Sequence, residues 1–309
     1  MLSRVAERLY WMARYLERAE DTARLVNAYS HLILDLPHGA EPGWDILLNT
    51  FDASGGFSNR YKLRTERNVV KYLLADLTNE SSIRYALKAA RENVRTTRDV
   101  LPAETWELVN ECYLYVDEMA PRSLARSSRF VFMEQMIARN QQITGMVQST
   151  ILRDHALWFM RLGRLLERAD MTSRIIDVGV AAILNRSGGA DAEIPLLWTN
   201  LLTSLSAKSA YWRSVGPLLT ANDVVDFIFK NKQFPRSILY CVNEIEDIVA
   251  QLRGPPGMLR SIRRIARVMS DFEAESTTLD ELHELIDHLQ GGLAELNTAF
   301  DETWFAPPG

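Results

Sequence analysis

The sequence predicts an all-α fold of about ten to twelve helices, in two duplicated halves related by a pseudo-twofold and packed as one compact unit. Three observations predict it. The stretch LERAEDTAR at 16–24 returns as LERADMTSR at 166–174, 150 residues later. Trp44 with Leu47 and Leu48 is matched by Trp198 with Leu201 and Leu202 at an offset of 154, and Val69-Val70, Ser82-Ile83 and Tyr85 by Val224-Val225, Ser237-Ile238 and Tyr240 at 155. Apolar residues recur at helical steps almost throughout, with no convincing run of alternating strands.

The elements follow in order. Val5, Leu9, Met12, Leu16, Ala19 and Ala23 form one apolar stripe, with Ser3 and Asp154 as N-cap candidates for the two copies of this helix. Turn-rich loops at 37–43 and 185–195 lead into the matched tryptophans. Further helical patterns cover 66–76, 80–100, 103–118 and 122–150 in the first half. The second half gives 196–211, 222–231, 236–253, 258–272 and 278–298, with loops expected at 51–60 and 253–257. The halves divide as 1–152 and 153–309, and the short connection at 152–154 predicts that they pack together.

Composition narrows the function classes. The chain is 47% hydrophobic and 24% charged, typical of a globular protein, and its net charge of −5 argues against general affinity for nucleic acid. Cys112 and Cys241 have no CxxC partner, so neither a disulfide framework nor a structural zinc site is expected. The opening MLSRVAERLYWMAR is charged every few residues, unlike a signal peptide, and no apolar run is long enough for a bilayer. A cytoplasmic protein, without membrane or nucleic-acid partner, is the expectation.

The chemistry concentrates on the repeated Glu-Arg helix. Arg14, Glu17, Glu20, Asp21 and Arg24 share one sector beside the apolar stripe, with Arg18 next to Glu17 in the chain. Arg14 is within reach of Glu17 at i+3, and Glu20 of Arg24 at i+4. The second copy keeps Arg164, Glu167, Arg168, Asp170 and Arg174, but Met171 replaces Asp21. An alternating arginine–carboxylate set reads either as an ion-pair network joining the halves or as guanidinium forks for a carboxylate or phosphate. Glu17 and Glu167 are the acid–base candidates if the chain is an enzyme. A bundle di-metal site needs Glu-x-x-His motifs that this chain lacks, so no metal and no cofactor is assigned.

Two other basic sets are candidate partner or anion faces. Arg84, Lys88, Arg91, Arg95 and Arg98 make a stripe whose second-half counterpart carries Glu244, Glu246 and Asp247, and Arg260, Arg263, Arg264 and Arg267 make another. An interaction face, salt bridging and a solvated face all explain them. His283 and His288 are five apart and do not share a face as an HExxH pair does, while His31 and His155 are isolated. No phosphate-binding glycine loop occurs. Trp304 and Phe305 near the Pro-rich end are expected to dock on the chain's own core, or else to insert into a partner.

The repeated Glu-Arg motif, together with ARENVR at 90–95 and FPRSI at 234–238, resembles the bacterial alpha-E domain family over essentially the whole chain. That resemblance implies genetic neighbours: circularly permuted ATP-grasp ligase-like proteins, transglutaminase-like proteins and an N-terminal-nucleophile peptidase. It implies a system of peptide or amide-bond synthesis and modification. The reading from the sequence is therefore a helical partner or scaffold subunit of such a system. The alternatives are an enzyme of peptide or amide chemistry using the paired Glu-Arg motifs, or a helical carboxylate metal protein.

Overall fold

In the computed structural model, which describes residues 1–37, 42–184 and 193–306, two helices dominate. These are α1 (Ser3–Asp35) and α8 (His155–Leu184). Six helices follow α1: α2 (Asp45–Thr50), α3 (Ser54–Ser58), α4 (Glu66–Leu74), α5 (Ile83–Arg95), α6 (Ala103–Met119) and α7 (Arg126–Thr150). Six follow α8: α9 (Ile194–Ser204), α10 (Lys208–Ser214), α11 (Ala221–Lys230), α12 (Ile238–Gln251), α13 (Pro256–Asp271) and α14 (Leu279–Phe300). The described chain is 79% helical without strands, and twelve helices have seven residues or more. None is long and apolar enough to cross a membrane.

The two series match helix for helix because the same local signals recur. Thr65 caps α4 as Thr220 caps α11, each accepting from the N–H three residues on. Ser82 and Ser237 do the same for α5 and α12, and each hydroxyl also donates to a loop carbonyl, Asp76 and Asn231 respectively. The buried residues of α6 (Thr105, Val109, Cys112, Val116) and α13 (Met258, Ile262, Ile265, Met269) run in one register.

α1 and α8 pack on each other at the centre, closely enough that a Cβ on Gly163 would land on the Tyr10 carbonyl oxygen. α1 then packs on α5 and α7 of its own series and on α9 of the other, while α8 packs on α12 and α14 and reaches back to α2. Asn200 of α9 donates to the Ala28 carbonyl of α1 at 2.6 Å. Each long helix is thus enclosed partly by the other series, and one apolar core runs through both. Phe305 is buried against Tyr10 and Phe159, and Trp304 meets Phe159 and Phe300, so both rings lie on the chain's own core.

Several boundaries differ from the sequence reading. Ser3 lies inside α1; the cap position is Leu2, which offers no side-chain acceptor. Asp154 does cap α8, its Oδ1 accepting from the Ala156 N–H at 2.9 Å. The loop expected at 51–60 contains α3, held by the fully buried Phe57 despite two glycines. The helix expected over 196–211 breaks into α9 and α10 at Ser206, whose φ of 54° matches that of 48° at Asp52 before α3. The segment 80–100 ends as helix at Arg95, and 253–257 already contains the start of α13. The loops at 37–43 and 185–195 fall largely outside the described residues.

Candidate functional site

The Glu-Arg repeats meet where α1 crosses α8. Glu167 takes Arg18 as a two-bond fork, Nε to Oε1 at 2.5 Å and Nη2 to Oε2 at 3.1 Å. Glu17 takes Arg168 in the same way, Nε to Oε1 at 2.7 Å and Nη2 to Oε2 at 3.0 Å. Each Glu-Arg pair therefore exchanges partners with its copy, the pattern a twofold contact imposes. The partner of Arg14 is not Glu17, as the i+3 spacing suggested, but Glu167 Oε2 at 2.7 Å. The facing helix supplies the nearer carboxylate and continues the network. Arg14 also donates to Asn297 Oδ1, which accepts from Tyr10 as well, and its guanidinium lies over the Trp11 ring. Arg164, its counterpart, stays 3.9 Å from Glu17.

The symmetry breaks at a residue outside the Glu-Arg helices. Arg236, at the N-terminal end of α12, reaches α1 and contacts Asp21 at 2.5 Å, Glu17 at 3.1 Å and Glu20 at 3.2 Å. Its structural counterpart is Ser81: Thr22 donates to the Ser81 carbonyl, and Thr172 to that of Arg236. At the twofold-related place both partners of this cross-copy pair are missing, with Met171 of the second copy in place of Asp21 and Ser81 of the first in place of Arg236. Charge was changed as a pair, as the desolvation penalty of a lone buried ion requires. Glu20 is held further by Arg24 at 2.6 Å and by Asn140 of α7 at 2.9 Å, and Asp170 by Arg174 at 3.1 Å.

Burial alone would raise the pKa of both motif glutamates. Arg168 and Arg236 around Glu17, and Arg14 and Arg18 around Glu167, outweigh it and hold each at about 2. Asp21 goes the other way: burial, helped by Glu17 and Glu20, prevails over Arg236 and pushes it up to about 7. Its Oδ2 is buried without a hydrogen-bond partner. Burial also pushes the thiols of Cys112 and Cys241 up to about 12, leaving neither as a ready nucleophile.

The basic stripe of α5 lies against α6. Arg84 donates to Asp117 at 2.8 Å and Arg91 to Asn110 at 2.7 Å, Arg98 covers the Trp106 ring, and Arg95 pairs with Glu92. Lys88 points outward and is exposed. In the other series the signs are exchanged: Arg263 of α13 donates to Glu246 of α12 at 2.6 Å. Arg264 pairs loosely with Glu295, and Arg260 and Arg267 are exposed. The divergence of charge between the copies is thus matched within each helix pair. His283 meets Asp177, His31 stacks near Phe130, and among the described residues no group of three or more His, Cys, Asp or Glu side chains could hold a metal ion.

Sequence reasoning did not place Arg236, Asn140, Asn297 or Tyr10 at the motif. The FPRSI segment contained the Arg236 signal, but only the fold brings it to Asp21.

With this geometry in hand, the comparisons with known proteins bear on the motif itself. A family described as a predicted alpha-helical domain with a conserved ER motif, Alpha-E, matches residues 1–305. An uncharacterized protein of Mycobacterium bovis is 22% identical over 337 aligned residues, covering 99% of this chain and 37% of that protein. An uncharacterized protein of Mycobacterium tuberculosis is 21% identical with the same coverage. The chain thus spans 37% of the length of these relatives. No solved structure matches. The chain belongs to the Alpha-E family.

Proposed function

We propose that this Alpha-E chain is a non-catalytic, cytoplasmic helical partner of an ATP-grasp ligase-like protein. It would act in a bacterial system of peptide or amide-bond synthesis and modification that also includes a transglutaminase-like protein. The observation that carries the non-catalytic part is the state of Glu17 and Glu167. Both are buried, both are filled by arginine forks, and both are held at about 2, far from the range in which a general acid or base exchanges protons near neutral pH. The motif is then a clasp that fixes the scaffold, and the outer helix faces are left for association. That the matched relatives carry this unit as 37% of a longer chain supports a module working beside other domains.

The test is co-purification with the ATP-grasp ligase-like protein encoded beside it, followed by ATP consumption with and without this chain. Complex formation that alters ligase turnover, with no turnover by this chain alone, is the expected result. Absence of a complex together with an intrinsic reaction abolished by Glu17→Gln would overturn the proposal.

A further inference from the structure

Away from the Glu-Arg clasp, α4 and α7 begin at the two sides of an open cavity of about 510 Å³. Its wall includes Arg67, Arg122, Arg126 and Arg129 but only one carboxylate, Glu66. Arg126 forks onto Glu66 at 2.9 and 2.7 Å, and Arg129 reaches the same carboxylate at 2.9 Å. One carboxylate thus serves two guanidiniums. Arg122 pairs only with the exposed Glu118, outside the cavity wall, and Arg67 is exposed. Arg129 is 1% exposed; its Nη1 donates to Ser30 Oγ at 3.2 Å and its Nη2 to the Leu124 carbonyl at 2.8 Å, and only its Nε is buried without a hydrogen-bond partner.

The helix end adds to this positive field. α7 is 25 residues long, yet its cap position is Ala125, with no side-chain acceptor and no acid in the first turn. A helix N-terminus carries partial positive charge and free N–H groups, which an acidic first turn or a bound anion ordinarily satisfies. Here the first helical residue is Arg126, of the unfavourable sign.

The duplicated half shows that the fold does not require this arrangement. α14, the counterpart of α7, starts with a Thr278–Glu281 capping box and has Asp280 and Glu281 in its first turn. In the common register of the buried faces, Arg126 corresponds to Leu279 and Arg129 to Leu282, and Arg67 corresponds to Asn222. Those three residues, with Phe272, line a cavity of only about 50 Å³. One copy has a small, largely apolar cavity at this place. The other has a wide one lined by four arginines.

We infer that this arginine-lined cavity between the N-termini of α4 and α7 binds a small molecule through a phosphate group. A phosphate carries the charge that the wall lacks, and its several acceptor oxygens suit guanidinium forks and helix N–H groups together. The inference does not depend on the partner role proposed above.

The probe is pyrophosphate, titrated calorimetrically into the full chain at constant ionic strength, with citrate as the carboxylate comparison. Saturable binding at one site is expected, with citrate weaker. Arg67→Ala and Arg122→Ala alter exposed side chains and should leave the helical spectrum unchanged while weakening binding about tenfold each, the loss of one charge-assisted contact. Arg129→Leu, which copies the other half, should abolish it, and Arg260→Ala on α13 should not alter it. No saturation, equal binding by the Arg67 and Arg122 variants, or tighter binding of citrate would each overturn the inference.

Discussion

Replacing Glu167 by Gln removes the negative charge that Arg14 and Arg18 share, at a site with only 3% of the glutamate side chain exposed. Two routes give the magnitude. Holding a carboxyl at about 2 rather than its ordinary ~4.3 corresponds to roughly 3 kcal/mol of stability at neutral pH. Removing one partner of a buried ion pair costs about 3–5 kcal/mol, because the other charge stays desolvated. Both converge near 3 kcal/mol. The assay is urea unfolding of the parent chain, Glu167→Gln, Arg18→Met and the double variant, read as a double-mutant cycle. A loss of about 3 kcal/mol in the single variant is expected, with a coupling of about 2 kcal/mol, toward the upper part of the range for contacting residues. A loss below about 1 kcal/mol, as an exposed pair would give, or additive single effects would refute the clasp.

Three further outcomes follow from the same geometry. Arg236→Ser alone should destabilise the chain by about 3–5 kcal/mol by stranding buried carboxylates, whereas Arg236→Ser with Asp21→Met reproduces the Ser81–Met171 pair and should recover much of the loss in a melting experiment. The pH dependence of stability should have two limbs. Glu17 and Glu167 titrate below their ordinary value in the folded state, so their contribution is complete above about pH 4.5 and lost as pH falls toward about 2. Asp21 titrates above its ordinary value, so its contribution declines as pH rises from about 4 to about 7 and then levels, and Asp21→Asn should remove that second limb alone. Gly163→Ala places a methyl on the Tyr10 carbonyl and 3.3 Å from Arg14 Cγ, and should lower stability by about 1–3 kcal/mol through overpacking, against a gain of about 0.5–1 kcal/mol for Gly145→Ala, which lies inside α7 and faces open space.

Much of the architecture could be read from the chain because duplication printed it twice. The caps Thr65 and Thr220, Ser82 and Ser237, and the apolar periods of the paired helices are local signals, so helix identity and order followed from them. The short helix α3 did not, because Phe57 is held by tertiary burial that a Gly-Gly pair conceals. At the motif, spacing grouped the arginines and carboxylates and gave the Glu20–Arg24 pair, but it paired Arg14 with Glu17 of its own helix. Which carboxylate lies nearest Arg14 is decided by the α1–α8 crossing. Arg236 was harder still: it lies 215 residues from Asp21, and its only local trace was the substitution of Ser for Arg and Met for Asp at matched places. The cavity at α7 depends on comparing two helix starts in space, a comparison for which the sequence supplied the register but not the volume.

The most direct test of the clasp is a carbon-detected NMR titration of the glutamate carboxyls in the folded chain, with Glu17 and Glu167 assigned by their Gln variants. The account predicts two carboxyl signals that remain in the ionised position from pH 8 down to the acid edge of folding, consistent with values of about 2. Either glutamate taking up a proton between about pH 5 and 8 would contradict it, and would return these residues to the range where acid–base catalysis operates.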